Sequence, residues 1–254
     1  MKLFAFLCGN IRMKKGIFTP GFDDDKIINT PVPIFLIEHP RGNVLFDTGF
    51  DKAVIEDPAG YWGGGVVKAF WPSLREEREI VRQLSLSGHY PADISHVIVS
   101  HFHMDHAGGN KYFPNAQFIV QIVEHTEALK PENEGKGYYR RDWDHPLNYK
   151  MISGTFDVFG DGKIILEHLP GHTVGQQIAI LDLVNSGKIV LASDAAPMLE
   201  NLNNQSVPKN ICNRKDFITS IERLNELQKQ GCMIICGHDD RQFENLRIAP
   251  EFYD

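Results

Sequence analysis

Four side chains able to bind metal fall within six residues, at His101-Phe102-His103-Met104-Asp105-His106. They follow the apolar run His96 to Ser100 and precede Ala107-Gly108-Gly109, where a strand gives way to a glycine-rich turn. Packing does not explain such a density of ionisable groups in one turn. Histidine is a borderline base that suits zinc, iron, cobalt or nickel, and a carboxylate adds the negative charge that lets two dications lie close together. Alternation along an extended segment turns His101 and His103 to one side. Asp105 and His106 are then left to reach a second position as the chain turns into a helix. Two metals need more donors than one hexapeptide supplies, so the fold must bring others to the end of this strand.

Three further positions stand in strand-to-turn contexts. His172 lies in Leu169-Pro170-Gly171-His172-Thr173 after a strand ending at His168, and Asp194 in Ala192-Ser193-Asp194-Ala195 after Ile189-Val190-Leu191. His238 lies in Cys236-Gly237-His238-Asp239 after Met233 to Ile235. Each alone reads as a hydrogen-bonded turn residue, and only the motif at 101–106 makes them candidate ligands. A closed structural zinc site would recruit cysteines. The four cysteines, Cys8, Cys212, Cys232 and Cys236, lie away from the motif without a CxxC pair. They read as free, mostly buried thiols of a reducing, cytoplasmic compartment.

The chain of 254 residues, 42% hydrophobic and 23% charged, is long enough for a substantial core. No linker or repeat divides it, so one domain, residues 1–254, is expected. A net charge of −7 disfavours a nucleic-acid partner. No apolar run reaches 18 residues, which argues against a membrane span, and the apolar stretch Leu3 to Cys8 reads as a first strand rather than a leader. Strand-like runs recur at 34–38, 43–47, 96–100, 117–121, 163–168, 177–183, 188–192 and 233–236. Helical signals lie between them. Phe217, Ile221, Leu224 and Leu227 recur at helical spacing in 216–229, and 74–86 is a second candidate with Ile80, Val81 and Leu84 as its stripe. Residues 133–146 have no clear period and read as a long loop. The mixture implies an α/β chain.

The HxHxDH, PGHT, SDA and GHD elements, in that order, resemble those of the metallo-β-lactamase superfamily. The resemblance spans nearly the whole chain, and Leu45-Phe46-Asp47-Thr48-Gly49 is similar to the superfamily's buried DTG turn. A narrower likeness is to the N-acyl-homoserine lactone lactonases and related γ-lactonases. It rests on Asn29 to Ile37 with its Pro-Val-Pro, Asp57-Pro58 with Trp62-Gly63-Gly64, Gly108 to Pro114, and Ala249 to Tyr253. The resemblance implies an αββα sandwich, two mixed sheets flanked by helices with the metals at one edge. It also implies that His101, His103 and His172 hold one metal, Asp105, His106 and His238 the other, and that Asp194 bridges both. Zinc is the metal implied, and the histidine-rich shell would also accept iron, cobalt or manganese. One position departs from the pattern. Where these lactonases commonly carry a tyrosine, three residues after the bridging aspartate, this chain has Pro197. Either metals and water suffice without that hydroxyl, or another group supplies the donor; Tyr138, Tyr139 and His125 are candidates, though each reads better as an ordinary loop or core aromatic or a surface histidine.

Two such metals can share a water and make hydroxide available near neutral pH. The function expected is therefore a dinuclear-metal lactonase, opening N-acyl-homoserine lactones in quorum quenching, or small γ-lactones, by hydroxide attack on the ester carbonyl. Asp105 is the candidate catalytic proton carrier. Trp62, Phe70, Trp71, Tyr138, Tyr139 and Trp143 could line a substrate groove, and the segment Tyr61 to Pro72 is a candidate homodimer contact. The competing readings are a superfamily hydrolase of thioesters, β-lactams or organophosphates, and a non-catalytic metal-binding protein.

Overall fold

The computed structural model describes residues 1–204 and 206–254. The first sheet contains β1 (Lys2–Lys14), β2 (Ile27–Glu38), β3 (Asn43–Phe46), β4 (Trp71–Ser73), β5 (Ile94–Ile98), β6 (Gln117–Gln121) and β7 (Asn148–Ile152), in the order β4-β1-β2-β3-β5-β6-β7. The second contains β8 (Phe156–Asp157), β9 (Ile164–His168), β10 (Gln177–Leu183), β11 (Gly187–Ser193) and β12 (Met233–Cys236), in the order β12-β11-β10-β9-β8. The helices are α1 (Pro58–Trp62), α2 (Gly64–Ala69), α3 (Ile80–Leu86), α4 (Ile122–Ala128), α5 (Arg140–Trp143), α6 (Leu199–Asn204), α7 (Arg214–Lys229) and α8 (Asp240–Phe243).

Strand alternation sorts the apolar residues into layers. Leu3, Ala5, Phe35, Ile37, Val44 and Phe46 of the first sheet pack between the sheets against Leu166, Ala179, Leu181, Ile189, Leu191 and Ile235 of the second. The opposite face of the first sheet, with Phe6, Leu36, Leu45, Val97 and Phe118, is covered by Ile80 and Leu84 of α3 and by Trp143. The outer face of the second sheet, with Ile178, Val190 and Ile234, is covered by Phe217, Ile221, Leu224 and Leu227 of α7. Each of these four side chains gains about 1.5–3 kcal/mol on burial. The layering is the expected αββα sandwich of two mixed sheets. Among the described residues no helix is long and apolar enough to cross a membrane.

The topology gathers strand ends at one edge. β3, β5, β6 and β7 are mutually parallel, as are β11 and β12. In such sheets the loops at the carboxyl ends of the strands form the ligand-binding crevice. The two sheets are tied together there: Gln177 donates from Nε2 to the carbonyls of Val99 and Ile119 at 2.7 and 3.1 Å, and its backbone N–H reaches Ser100 O at 3.0 Å.

Some boundaries differ from the sequence expectation. β5 runs from Ile94 to Ile98 rather than 96–100, because Ser100 turns its carbonyl to the other sheet. Only Ile80–Leu86 of the 74–86 stretch is α-helical, since the Glu79 carboxylate caps it by accepting from Val81 and Arg82 N–H. The 133–146 loop contains the single turn of α5. The chain does not enter a helix at Asp105 and His106. His106 and Ala107 N–H both close onto His103 O, at 2.9 and 3.0 Å, making a tight turn.

Candidate metal centre

His101 and His103 follow β5, His172 follows β9, Asp194 follows β11 and His238 follows β12. The layered core thus delivers side chains from four loops to one point. Donor atoms of His101, His103 and His172 lie within 4.8 Å of one another, as do those of Asp105, His106 and His238. His101, His106 and Asp194 form a third overlapping group.

Asp194 stands between the two triads. Its Oδ2 lies 3.3 Å from His172 Nε2, and its Oδ1 lies 3.0 Å from His238 Nε2 and 3.4 Å from His106 Nε2. Asp105 Oδ2 lies 3.6 Å from Nε2 of both His106 and His238. His103 Nδ1 faces His172 Nε2 at 2.9 Å. The buried atoms His101 Nε2, His106 Nε2, His238 Nε2 and Asp194 Oδ1 have no hydrogen-bond partner among the described residues. Buried polar atoms without partners cost about 1–3 kcal/mol each, and several aimed at one another fit a cation-binding cluster. The residues present therefore fit a metal.

Ligand orientation is set by a second layer of hydrogen bonds. Asp47, at φ +61°, accepts from Ser100 N–H at 2.7 Å and Ser100 Oγ at 2.8 Å, and its Oδ2 lies 2.9 Å from His106 Nδ1. Ser100 Oγ is 3.0 Å from His101 Nδ1 and takes a bond from Ser193 Oγ at 2.9 Å. His238 Nδ1 is held by Pro31 O at 2.8 Å. With the Nδ1 protons directed at these acceptors, the Nε2 atoms of His101, His106 and His238 are left as ligands. Glu124, fully buried, accepts from Phe102 N–H at 2.9 Å and Gly175 N–H at 3.0 Å, joining the 101–106 turn to the His172 loop. Two close approaches require glycine. A Cβ at Gly137 (φ +94°) would meet His103 Cδ2 at 2.7 Å, and one at Gly171 (φ +136°) would meet Phe217 N at 2.3 Å.

Burial and neighbouring imidazoles push His101 and His103 well below the usual histidine range, and burial lowers His172 against the pull of Asp194. These three are neutral donors at pH 7. Burial also opposes charge on His106 and His238, but nearby carboxylates, Asp105 and Asp194 among them, outweigh it and hold both above the usual range. Burial disfavours the Asp194 carboxylate, yet the imidazoles of His238, His172 and His106 keep it well below the ordinary value.

A cavity of about 200 Å³ opens over the cluster, with Ile11, Phe18, Val66, Phe70 and Met104 as its apolar wall and His103, Asp105, His172 and Asp194 at its base. Phe18 also stacks on His238, ring centres 5.3 Å apart. Among the aromatics expected to shape a pocket, Phe70 lines this cavity and Tyr138 lines its neighbour. Trp62, Tyr139 and Trp143 are core residues, and Trp71 is 51% exposed.

Pro197 is buried, and its carbonyl accepts from His238 N–H at 2.7 Å. None of the three proposed substitutes for a phenol at this position lines the cavity over the cluster. Tyr139 donates to Trp62 O, His125 packs among Phe102, Trp143 and Tyr149, and Tyr138 stands edge-on to His103 beside Glu124, where burial and that carboxylate raise its pKa. Sequence reasoning overlooked Ser100, Glu124, Ile11, Phe18 and Asn210, none of which carries a local signal; it picked out Asp47 as part of a DTG turn but not its hold on His106.

The family model described as "Metallo-beta-lactamase superfamily" matches residues 28–230. The chain is 36% identical to the N-acyl homoserine lactonase AttM of Azorhizobium caulinodans, over all of this chain and 99% of that protein. It is 32% identical to the N-acyl homoserine lactonase AiiA of Bacillus thuringiensis subsp. kurstaki, covering 99% of this chain and 98% of that one. Among solved structures, an N-acyl homoserine lactone hydrolase with the product N-hexanoyl-L-homoserine at its catalytic metal center superimposes with a TM-score of 0.88. It is 31% identical, over 99% of this chain and 98% of its own.

Proposed function

Because this chain belongs to the metallo-β-lactamase superfamily, we propose that residues 1–254 form one lactone-hydrolysing domain acting on N-acyl homoserine lactones. The observation that carries this reading is the placement of Asp194, with one carboxylate oxygen toward His172 and the other toward His106 and His238. That arrangement supports two cation positions with a shared ligand. His101, His103 and His172 would hold one divalent ion, Asp105, His106 and His238 the other, and Asp194 would bridge them. The donor set suits zinc and tolerates iron, cobalt or manganese.

When bound, such a pair supplies a Lewis acid for a lactone carbonyl and lowers the pKa of a nearby water. The chain's own groups do the rest. Asp105 lines the cavity above the cluster, so its carboxylate can take a proton from the attacking water and deliver it to the ring oxygen as the C–O bond breaks. Phe18, Val66, Phe70 and Met104 form an apolar wall that packs on a hydrocarbon tail and keeps bulk water from the reacting carbonyl. The imidazoles of His101 and His238 are fully buried, and their second-layer hydrogen bonds hold them in one orientation.

The test is a pH-stat assay of N-acyl homoserine lactones of increasing acyl length, with metal content measured on the same sample. Two ions per chain with turnover are expected, and loss of both in His172→Ala and His238→Ala. A fully loaded protein that opens no lactone but cleaves S-lactoylglutathione or nitrocefin would refute the lactonase assignment. Three buried, unpaired cysteines support a reducing, cytoplasmic location. Trp71, at the end of the Tyr61 to Pro72 segment, is the candidate anchor of a homodimer contact, which light scattering at micromolar concentration tests.

A further inference from the structure

A second cavity of about 340 Å³ adjoins the first, and the two share His103, His172, Lys136 and Asn210. Ile11, Phe18, Val66, Phe70 and Met104 wall the first, and Asn133, Tyr138, Thr173, Val174 and Ile211 are among the residues that line the second. Its one carboxylate, Glu127, is already engaged by Lys130 at 2.6 Å and by Asn133 Nδ2 at 2.8 Å.

Asn210 stands where the cavities meet, in a loop pinned on both sides. Lys209 N–H donates to Ile17 O at 2.8 Å, and Cys212 N–H donates to Gly171 O at 2.9 Å and His172 O at 3.1 Å. The backbone that carries Asn210 is thereby fixed to the loop of a candidate ligand. Its side chain is not. The side chain makes no hydrogen bond to the described residues, and its Oδ1 is closed off from solvent, which leaves Nδ2 as the atom it can offer to a ligand in the cavities it lines. An amide N–H needs an acceptor. A lactone that bears hydrocarbon alone has none outside its lactone group. An N-acyl lactone has one, its acyl carbonyl, between the ring over the candidate ligands and the tail against the apolar wall.

We propose that Asn210 is a specificity-determining residue whose side-chain amide hydrogen-bonds the acyl amide of the substrate, so that this site selects N-acyl-substituted γ-lactones over γ-lactones bearing hydrocarbon alone. The proposal rests on the lactonase reading above. It acts through binding and leaves the metals and Asp105 untouched.

The metal-loaded Asn210→Ala and Asn210→Leu variants are compared with the unmodified protein on N-hexanoyl homoserine lactone and on a γ-alkyl-γ-butyrolactone of similar length. Loss of the amide should raise KM for the N-acyl substrate about tenfold in both variants, with kcat and the alkyl lactone within about twofold. The alkyl lactone and the metal content report on folding. Equal loss on both substrates, no loss on either, or a Leu variant that keeps the original KM while the Ala variant does not would overturn the proposal, the last by making Asn210 a space filler. If the unmodified protein opens neither lactone, the lactonase reading itself has failed, and that is seen without reference to any variant.

Discussion

Replacing Asp142 by asparagine should change how stability depends on pH, by an amount that follows from its surroundings. Asp142, on α5, is fully buried, and its Oδ1 lies 2.7 Å from the Tyr61 hydroxyl, which lies 3.0 Å from Asp51 Oδ2. Asp51 is ion-paired with Lys111, while Asp142 Oδ2 has no partner among the described residues. One phenolic proton cannot satisfy two carboxylates at once. Burial, reinforced by the Asp51 charge, pushes the Asp142 carboxyl from 3.8 to about 8, against the Tyr61 hydrogen bond and the Arg141 and Lys111 charges. Asp142 then holds its own proton toward Tyr61, and Tyr61 donates onward to Asp51. Between these two pKa values the unfolded chain has lost a proton that the folded chain retains, so folding stability falls as pH rises, by about 1.4 kcal/mol per unit. The asparagine amide cannot ionise. The stability of Asp142→Asn relative to the unmodified protein should therefore grow by about 4 kcal/mol between pH 5 and pH 8. Urea unfolding of both metal-loaded proteins across that range measures it. Any fixed penalty from an amide N–H placed at the unpartnered Oδ2 position adds the same offset at every pH and drops out of the slope. Parallel profiles would show that Asp142 is ionised throughout and refute the shared-proton account.

Three further outcomes are expected. Asp47→Ala removes the acceptor that orients His106 and should weaken metal binding about 10–100-fold, read by competition with a chromophoric chelator; unchanged affinity would make Asp47 merely structural. Gly171→Ala places a Cβ against the backbone of Phe217 and should cost about 2–4 kcal/mol together with metal occupancy, measured by denaturation and elemental analysis; a variant of unchanged stability refutes the steric argument. In the metal-free protein, His106 and His238 hold protons that a metal must displace, because their pKa values are raised. Metal affinity should accordingly rise from pH 6 to pH 8, and calorimetry in buffers of different ionisation enthalpy should detect proton release; a pH-independent affinity would contradict the assigned charge states.

The candidate ligands were legible in the chain because each carries a local signature. The cluster at 101–106 is too dense for packing, and His172, Asp194 and His238 each stand just beyond an apolar run. The αββα layers were implied by the family resemblance and consistent with the alternation of strand and helix patterns. What remained hidden depends on relations with no local trace. Ile11 and Phe18 lie beyond the Leu3 to Cys8 run that reads as the first strand, and only the long β1–β2 pairing, Lys2 opposite Glu38 to Lys14 opposite Ile27, carries the chain over the site. Glu124 lies on a short helix of mixed polarity, and its role exists only because Gly175, remote in sequence, leaves room for it, a Cβ there meeting Glu124 Cβ at 2.3 Å. Pro197 shows the converse case, a position flagged by its departure from a family pattern but whose surroundings were unreadable. Its carbonyl holds the backbone of His238, so its contact with the centre is through the main chain. Asn210 left no trace in the sequence because it is placed beside His172 by backbone hydrogen bonds of its neighbours Lys209 and Cys212, which any residue type could make.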